Sequence, residues 1–378
     1  APVGIEEIKF NETEITLGKG MSYKLEVTIL PENANDKTII WKSDDESVAA
    51  VSNDGTIRAV GVGETKVRAS SVDNTVSAEC KVIVTERETV EFADSAFKQA
   101  VIDAVFGGDR EISDNIYADE VSDITSLDIR NKNITDLKGI EYFASLQVLN
   151  CSGNRLQQID LSGNTELTTL DCTNSQVIGL NVANNKKLTH LYVAQNNIST
   201  LNLSANDNLI WLDCSNNNLS DVDITENIEY LYISGNGFES IDTGKCKKLK
   251  SFECQNNRLS ELNLQANTAL TNLNCSNNML RELNLDKQAN IRQVLAKENR
   301  LESIDVTANK KLTYLDCSRN YFKAKSNVSG IDESRTTLVY YPQYLVLIPV
   351  ESVRISDSSL MLKIGETANL TAEVLPQG

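Results

Sequence analysis

The sequence predicts a mostly β protein, in which a long solenoid is preceded by a β-sandwich. Two observations lead to this prediction. A phrase of about twenty-one residues recurs nine times between Leu146 and Phe322, and a fixed period in this range is typical of solenoids whose units stack on one another. Residues 4–84 consist of short apolar or alternating runs separated by turn residues, with a hairpin signal at 53–55, as expected for a sandwich.

The repeated phrase has a constant internal pattern. Apolar side chains recur at positions 1, 4, 6, 11, 14 and 16 of the phrase, and the alternation around position 4 predicts a strand with an inward leucine. Successive turns start 21 residues apart, except for one step of 19 that we expect to lack two residues just after Asn227. The nine turns begin at Leu146, Leu167, Leu188, Leu209, Ile228, Leu249, Leu270, Ile291 and Leu312.

Asparagine recurs at two further positions. Position 9 is Asn in eight of the nine turns, and Ser175 is the exception. We expect these side chains to point inward at a bend and to bond to backbone groups of neighbouring turns, which would otherwise cost roughly 1–3 kcal/mol each if buried unpaired. A second ladder is predicted at position 19, from Asn164, Asn185, Asn206, Asn227, Asn267 and Asn309.

Two copies of L-x-x-L-x-L-x-x-N make up each turn, and this pattern resembles the leucine-rich repeat. The Cys- and Asn-rich form of the nine turns resembles the internalin-like surface proteins of gut bacteria. Upstream, the runs WKSDDESVAAV, NDGTIRA and GVGETKVRA resemble a group 2 bacterial immunoglobulin-like domain. That resemblance implies a stalk or adhesin module with Trp41 in its core, and the repeat resemblance implies a recognition scaffold.

We therefore expect four segments. Asp94 can cap a helix that Gly107 ends, and this helix would close the first layer of the solenoid. The last segment matches residues 5–31 at a constant offset of 345. The segments are 1–86, an immunoglobulin-like β-sandwich; 87–120, a helical amino-terminal cap; 121–343, a leucine-rich repeat solenoid with a closing strand at 336–343; and 349–378, the start of a second, truncated immunoglobulin-like domain.

The net charge is −17, which argues against nucleic acid and against an anionic membrane as partners, since both need a basic face. No apolar run approaches the roughly 20 residues of a membrane span, so we expect no membrane insertion. Six of the eight cysteines occupy position 6, where other turns carry Val193, Ile233 or Ala296. We interpret them as small, reduced core residues. Bridges between residues of adjacent turns, Cys151 with Cys172 or Cys254 with Cys275, remain an alternative.

We expect no enzyme activity, no cofactor and no metal site. The chain has a single histidine, His190, and lacks phosphate-loop and nucleophile motifs. The loop GGDREIS offers only Asp109 and Glu111 as carboxylates, which are too few for an EF-hand-type calcium site.

Positions 3 and 5 of each turn flank the inward position 4 and therefore face outward, on the concave side in this family. In three consecutive turns these positions carry mostly aromatic residues, and turns lie about 4.8 Å apart, so the rings should touch. We predict a solvent-exposed ligand-binding site there, edged by Asp171 and Glu253, because aromatic patches mark contact sites. Two alternatives are that the aromatic residues only stabilise the strand ladder, or that a loop covers them. The predicted site is His190, Tyr192, Trp211, Asp213, Tyr230 and Tyr232.

These observations favour a secreted or cell-surface recognition or adhesion protein that binds an extracellular protein or glycan through the concave face. The chain starts at APVG without a signal peptide, and we interpret it as a mature or trimmed chain, not a cytosolic protein. The alternative is a structural stalk or spacer of a larger surface protein, with the active module elsewhere.

Overall fold

The computed structural model describes residues 2–344, 352–355, 367, 369 and 371–375. The chain divides into two compact units. The first comprises Ala1–Glu91 and Ser113–Asp123, and the second comprises Phe92–Ile112 and the chain from Ile124 onward. None of the helices in the described part of the chain has the length and apolar character that a membrane span requires.

The first unit contains a sandwich of short strands, as predicted. One sheet has four strands, in which Glu14–Gly18 runs parallel to its neighbour and the other pairs are antiparallel. Its strand order is Glu14–Gly18, Ser77–Thr85, Gly63–Ser71 and Ile39–Ser43. The second sheet is antiparallel, in the order Ser22–Lys24, Thr56–Ala59 and Ala49–Val51, and a separate antiparallel pair joins Glu7–Phe10 to Val27–Leu30.

The sandwich core is built from alternate residues of both sheets, including Val67, Val82 and Ile57, which are fully buried. Trp41 is half-buried and packs against this core, stacked on Phe10 with ring centroids 5.3 Å apart. Trp41 therefore lies at the edge of the sandwich core, of which it was predicted to be a member. Its ring passes so close to the predicted 53–55 hairpin that a Cβ at Gly55 would lie 2.7 Å from it.

The predicted cap segment, 87–120, contains the helix Ser95–Phe106 and most of a short second helix, Ala118–Val121. The longer helix starts as predicted, with the Asp94 carboxylate accepting hydrogen bonds from the amides of Ala96 and Phe97 at 2.7 and 3.3 Å. It ends at Gly107, which is left-handed with φ of 64°. This helix belongs to the second unit, whereas the short helix belongs to the first.

The second unit is a stack of turns whose first strands form one parallel sheet, which we call the long sheet. Each strand pairs in register with the next, so that position 4 of one turn lies beside position 4 of its neighbour. Within the segment 336–343, for which a closing strand was predicted, only Thr337–Val339 forms a strand, and it pairs with the last repeat. The strands are Ser126–Asp128, Val148–Asn150, Thr169–Asp171, His190–Tyr192, Trp211–Asp213, Tyr230–Tyr232, Ser251–Glu253, Asn272–Asn274, Gln293–Leu295, Tyr314–Asp316 and Thr337–Val339.

The second half of each turn is less regular than the repeated L-x-L pattern suggests. Within residues 2–344 it forms strands in only two places, both as short parallel pairs. These are Gln158–Ile159 with Gly179–Leu180, and Ile304–Asp305 with Val328–Ser329. Two 3-10 helices, Ile140–Tyr142 and Lys325–Asn327, complete the unit.

The asparagine ladder at position 9 is confirmed. In a typical turn Asn217 accepts a hydrogen bond from the amide of Ile198, in the preceding turn, at 3.0 Å. Its amide nitrogen donates to the carbonyls of Val193 and Cys214 at 2.9 and 3.1 Å. Ser175, the exception, still donates to the carbonyl of Cys151, at 3.1 Å. Each side chain thereby links its own bend to the bend before it.

The expectation for Asn227 is wrong. Its side chain is half-buried and donates to the carbonyl of Asp207 at the surface. Thr225 takes the inward place instead, three residues before Ile228, and is 7% exposed. The two residues that the short turn lacks are therefore missing before Thr225 and not after Asn227. The chain keeps a spacing of three residues between the inward polar residue, Thr225, and the first buried residue of the next turn, Ile228.

All eight cysteines are free and buried, as predicted. Six of them stack at position 6 of the turns, and burial raises the pKa of these thiols, to about 12 for Cys172 and well above its usual range for Cys254. Buried neutral thiols are poor nucleophiles and act here as small apolar groups.

Part of the predicted second immunoglobulin-like segment is described. Ser352–Ile355 pairs antiparallel with Ala372–Leu375, with Ser352 opposite Leu375. In the first unit Glu7 lies opposite Leu30. The pairing of Ser352 with Leu375 is thus shifted by 345 residues from that of Glu7 with Leu30, the same offset that relates the two stretches of sequence. The remainder of 349–378 lies largely outside the described residues.

Candidate binding surface

The six predicted site residues lie together on the outward face of the long sheet. They come from three adjacent strands, where His190 pairs with Trp211 and Trp211 pairs with Tyr230. Tyr192, Asp213 and Tyr232 form the parallel row two residues further along each strand. We call the five rings and Asp213 the aromatic surface. The strand alternation that buries Leu212 turns both rows outward.

Trp211 is the centre of the aromatic surface. Its ring centroid lies 4.5 Å from that of Tyr230, 5.2 Å from that of Tyr232, 6.0 Å from that of Tyr192 and 6.5 Å from that of His190. All five rings are half-buried, and not fully open as the sequence suggested, because rings on strands about 4.8 Å apart cover one another's faces. The rings found in contact with Trp211 all belong to this surface.

Carboxylates alternate with tyrosines in the second row. Reading across the strands, the in-register order is Asp171, Tyr192, Asp213, Tyr232 and Glu253. Burial, followed by the charges of Asp171 and Asp213, raises the pKa of Tyr192. Burial also raises the pKa of Tyr232, opposed by a hydrogen bond with Ser251 and aided by Glu253 and Asp213. Both hydroxyls therefore remain protonated donors well above neutral pH.

A serine or threonine at position 7 holds the two aspartates of this row, a contact that was not predicted from the sequence. Oδ1 of Asp213 accepts hydrogen bonds from the Ser215 amide at 3.0 Å and from its hydroxyl at 2.6 Å. The Thr173 amide donates to Asp171 in the same way, at 2.9 Å. The signal was available, since position 7 is Ser or Thr in most of the turns. The turn thus fixes the carboxylate while using only one of the Asp213 oxygens.

The surface combines negative charge with aromatic faces. Within the described residues no group of three or more His, Cys, Asp or Glu side chains is arranged to hold a metal ion. The single histidine contacts the Thr189 hydroxyl through Nδ1, at 2.9 Å. Such an arrangement can bind and orient a ligand by stacking, hydrogen bonding and charge.

Comparison with known proteins supports the assignment of both units. The family model of the bacterial Ig-like domain (group 2) matches residues 5–82. Internalin J of Listeria monocytogenes serotype 4b (strain F2365) is 32% identical over 96 residues, which is 25% of this chain and 10% of that protein. An alpha-L-arabinofuranosidase of Bifidobacterium longum subsp. longum is 39% identical over 71 residues, 19% of this chain and 7% of the enzyme.

Among solved structures, the functional domain of InlJ from Listeria monocytogenes, which includes a cysteine ladder, aligns with a TM-score of 0.56 at 27% identity. The alignment covers 68% of this chain and 61% of that one. The chain spans less than a fifth of the length of the curated relatives it matches. The chain is thus similar to internalin J in its leucine-rich repeat fold, and its residues 5–82 match the group 2 bacterial immunoglobulin-like domain.

Proposed function

We propose that this chain is a secreted or cell-surface recognition protein that binds an extracellular protein or glycan through the aromatic surface. The observation that carries the proposal is the cluster of five half-exposed rings around Trp211. Rigid aromatic side chains lose little conformational entropy on binding and supply large contact areas, so they commonly anchor interfaces. The resemblance to internalin J, and the surface role expected of such proteins, support the same proposal.

The immunoglobulin-like elements fit the role of spacers. The strand pair at 352–355 and 372–375 repeats the register of the first unit, and tandem modules of this kind extend a binding domain away from an anchor. In this proposal the repeats recognise the ligand and the immunoglobulin-like modules present them. Neither requires a catalytic step.

The test is a side-by-side screen of the full chain and of Trp211→Ala against arrays of glycans and of extracellular proteins. We expect at least one ligand whose affinity falls by about 2 kcal/mol or more in the variant, as for a central interface anchor. Tyr314→Ala is a matched control, because Tyr314 is an aromatic residue at the same position of its turn as Trp211. It lies four turns beyond Tyr230, the nearest ring of the aromatic surface in that row, which is a distance of about 19 Å. Ligands that bind the wild type and Trp211→Ala equally well would refute the proposal.

Stability must be measured in the same experiment. Trp211 is half-buried by its contacts with four rings, so we expect Trp211→Ala to lower the free energy of unfolding by about 1–2 kcal/mol. The variant should therefore remain folded at room temperature while losing most of its affinity. A variant that unfolds but whose folded fraction binds normally would identify Trp211 as a purely structural residue.

A further inference from the structure

We infer that the aromatic surface binds an extended, arginine-bearing segment of a protein partner. This inference rests on the proposed function and names its ligand. The observation behind it is the alternating row of the second strand position, in which Asp171, Asp213 and Glu253 are separated by Tyr192 and Tyr232. Each carboxylate thus lies beside at least one aromatic ring.

The three acids of this row have no basic partner among the described residues. Their hydrogen bonds come from neutral donors: the Thr173 amide for Asp171, Ser215 for Asp213, and the Gln255 side chain for Glu253. The second carboxylate oxygen of Asp213 takes no hydrogen bond from the described part of the chain. Lys250, at the rim of the same strands, is already paired with Glu229 at 2.5 Å. The row therefore carries negative charge that a ligand can neutralise.

A guanidinium group complements this row better than other common ligand groups do. It is planar and stacks on the faces of Trp and Tyr rings, and its fork of donors fits a carboxylate. A neutral sugar would stack on the rings as well, but it would leave the three charges uncompensated. The charge complementarity therefore favours a basic protein segment over a glycan.

The spacing of the acids defines the spacing of the arginines. Asp213 lies two strands from Asp171 and two strands from Glu253, and each of these steps is about 9.6 Å at ~4.8 Å per strand. A peptide in the extended polyproline II conformation advances about 3.1 Å per residue with three residues per turn, so side chains three residues apart lie on the same face, roughly 9.3 Å apart. A segment crossing the strands can therefore place a basic side chain over each acid if an arginine occurs at every third residue.

The probe is the peptide acetyl-Arg-Gly-Gly-Arg-Gly-Gly-Arg-amide, titrated into the full chain by calorimetry. One matched peptide carries citrulline in place of arginine, which keeps the shape and removes the charge. A second has the same composition with its three arginines adjacent. We expect the citrulline peptide to bind at least about tenfold more weakly and the clustered peptide about three- to fivefold more weakly. Affinity should also fall as sodium chloride is raised from about 0.05 to about 0.5 M.

The decisive variant is Asp213→Asn. The chain itself shows that asparagine preserves this turn, since Asn150 accepts hydrogen bonds from the Ser152 amide and hydroxyl at 3.1 and 2.7 Å. We expect arginine-peptide affinity to fall about three- to tenfold in this variant. Asp160→Asn is the control, because it removes one charge from the other half of a turn, where Asn181 accepts the equivalent bond from the Ala183 amide. Its affinity should stay within about twofold of the wild type.

Three results would overturn the inference. One is the absence of saturable binding of the arginine peptide up to about 5 mM. Another is equal affinity for the arginine and citrulline peptides. The third is a glycan found in the screen whose binding requires Trp211 but not the charge of Asp213. The last result would leave the proposed function standing, whereas screened ligands that ignore Trp211 would refute the proposed function itself.

Discussion

Replacing Asn217 by alanine tests how the solenoid is held together. The side chain is 7% exposed and makes hydrogen bonds with both of its polar atoms. The carbonyl of Val193 also accepts a bond from Asn196, and the carbonyl of Cys214 also accepts one from Asn236. Each would keep one donor after the substitution. The amide of Ile198 would lose its acceptor and remain buried.

The expected cost follows from this difference. One stranded buried amide costs about 1–3 kcal/mol, and the lost bonds to carbonyls that keep another donor add about 1 kcal/mol. We therefore expect Asn217→Ala to lower the free energy of unfolding by about 2–4 kcal/mol. Urea denaturation followed by circular dichroism measures the change, provided that the m-value stays constant.

The control is Asn218→Ala, one residue later and exposed. Asn216, the exposed neighbour on the other side, is a poor control because its φ is +54°, a left-handed conformation that alanine adopts at a cost of about 1 kcal/mol. Asn218→Ala should change stability by less than about 0.5 kcal/mol. Equal losses at positions 217 and 218 would refute the idea that inward asparagines join the turns.

Three further predictions concern other parts of the second unit. Asp94 accepts bonds from Thr135 and from the first helical turn, and these bonds outweigh its burial and lower its pKa. Asp94→Ala should therefore lower the free energy of unfolding by about 1–3 kcal/mol at pH 7. The difference in stability between wild type and variant should shrink once the pH falls below about 4, the pKa of Asp in the unfolded chain, towards the lower pKa of the native state. A difference in stability at pH 2 as large as that at pH 7 would contradict this. Cys214→Val should cost less than about 2 kcal/mol, and a reducing agent should leave the melting temperature unchanged, whereas a large drop on reduction would reveal a bridge. Finally, Asp213→Asn should lower the raised pKa of Tyr192 in a spectroscopic titration, and Asp160→Asn should not.

The repeat pattern was predictable because it depends on local periodicity. Positions 4 and 6 alternate with outward residues, and each strand repeats the same register, so a count from Leu209 was enough to place Trp211 and Asp213 on one face. The short turn was not predictable in the same way. Asn227 matched the pattern when counted from the start of its turn, but the structure keeps the spacing from Thr225 to the next buried residue.

A further regularity became clear only from backbone geometry. Position 8 is left-handed in every one of the nine turns, from Gly153 to Arg319, with φ between 51° and 69°. Asn and Gly dominate this position, as that conformation favours, yet Glu298 and Arg319 also adopt it. The bend after each strand imposes the conformation on whatever residue is present, because the asparagine that follows must point inward.

The sequence by itself determined the solenoid, the sandwich, the reduced cysteines and the set of residues on the outward face. All of these follow from the spacing of apolar and polar residues, which each segment carries locally. Only the tertiary structure decided how far the rings cover one another, which atoms hold Asp213, and that Thr225 replaces Asn227 in the interior. These features depend on packing and hydrogen bonding between neighbouring turns, whose contacting residues are about 21 residues apart in the chain.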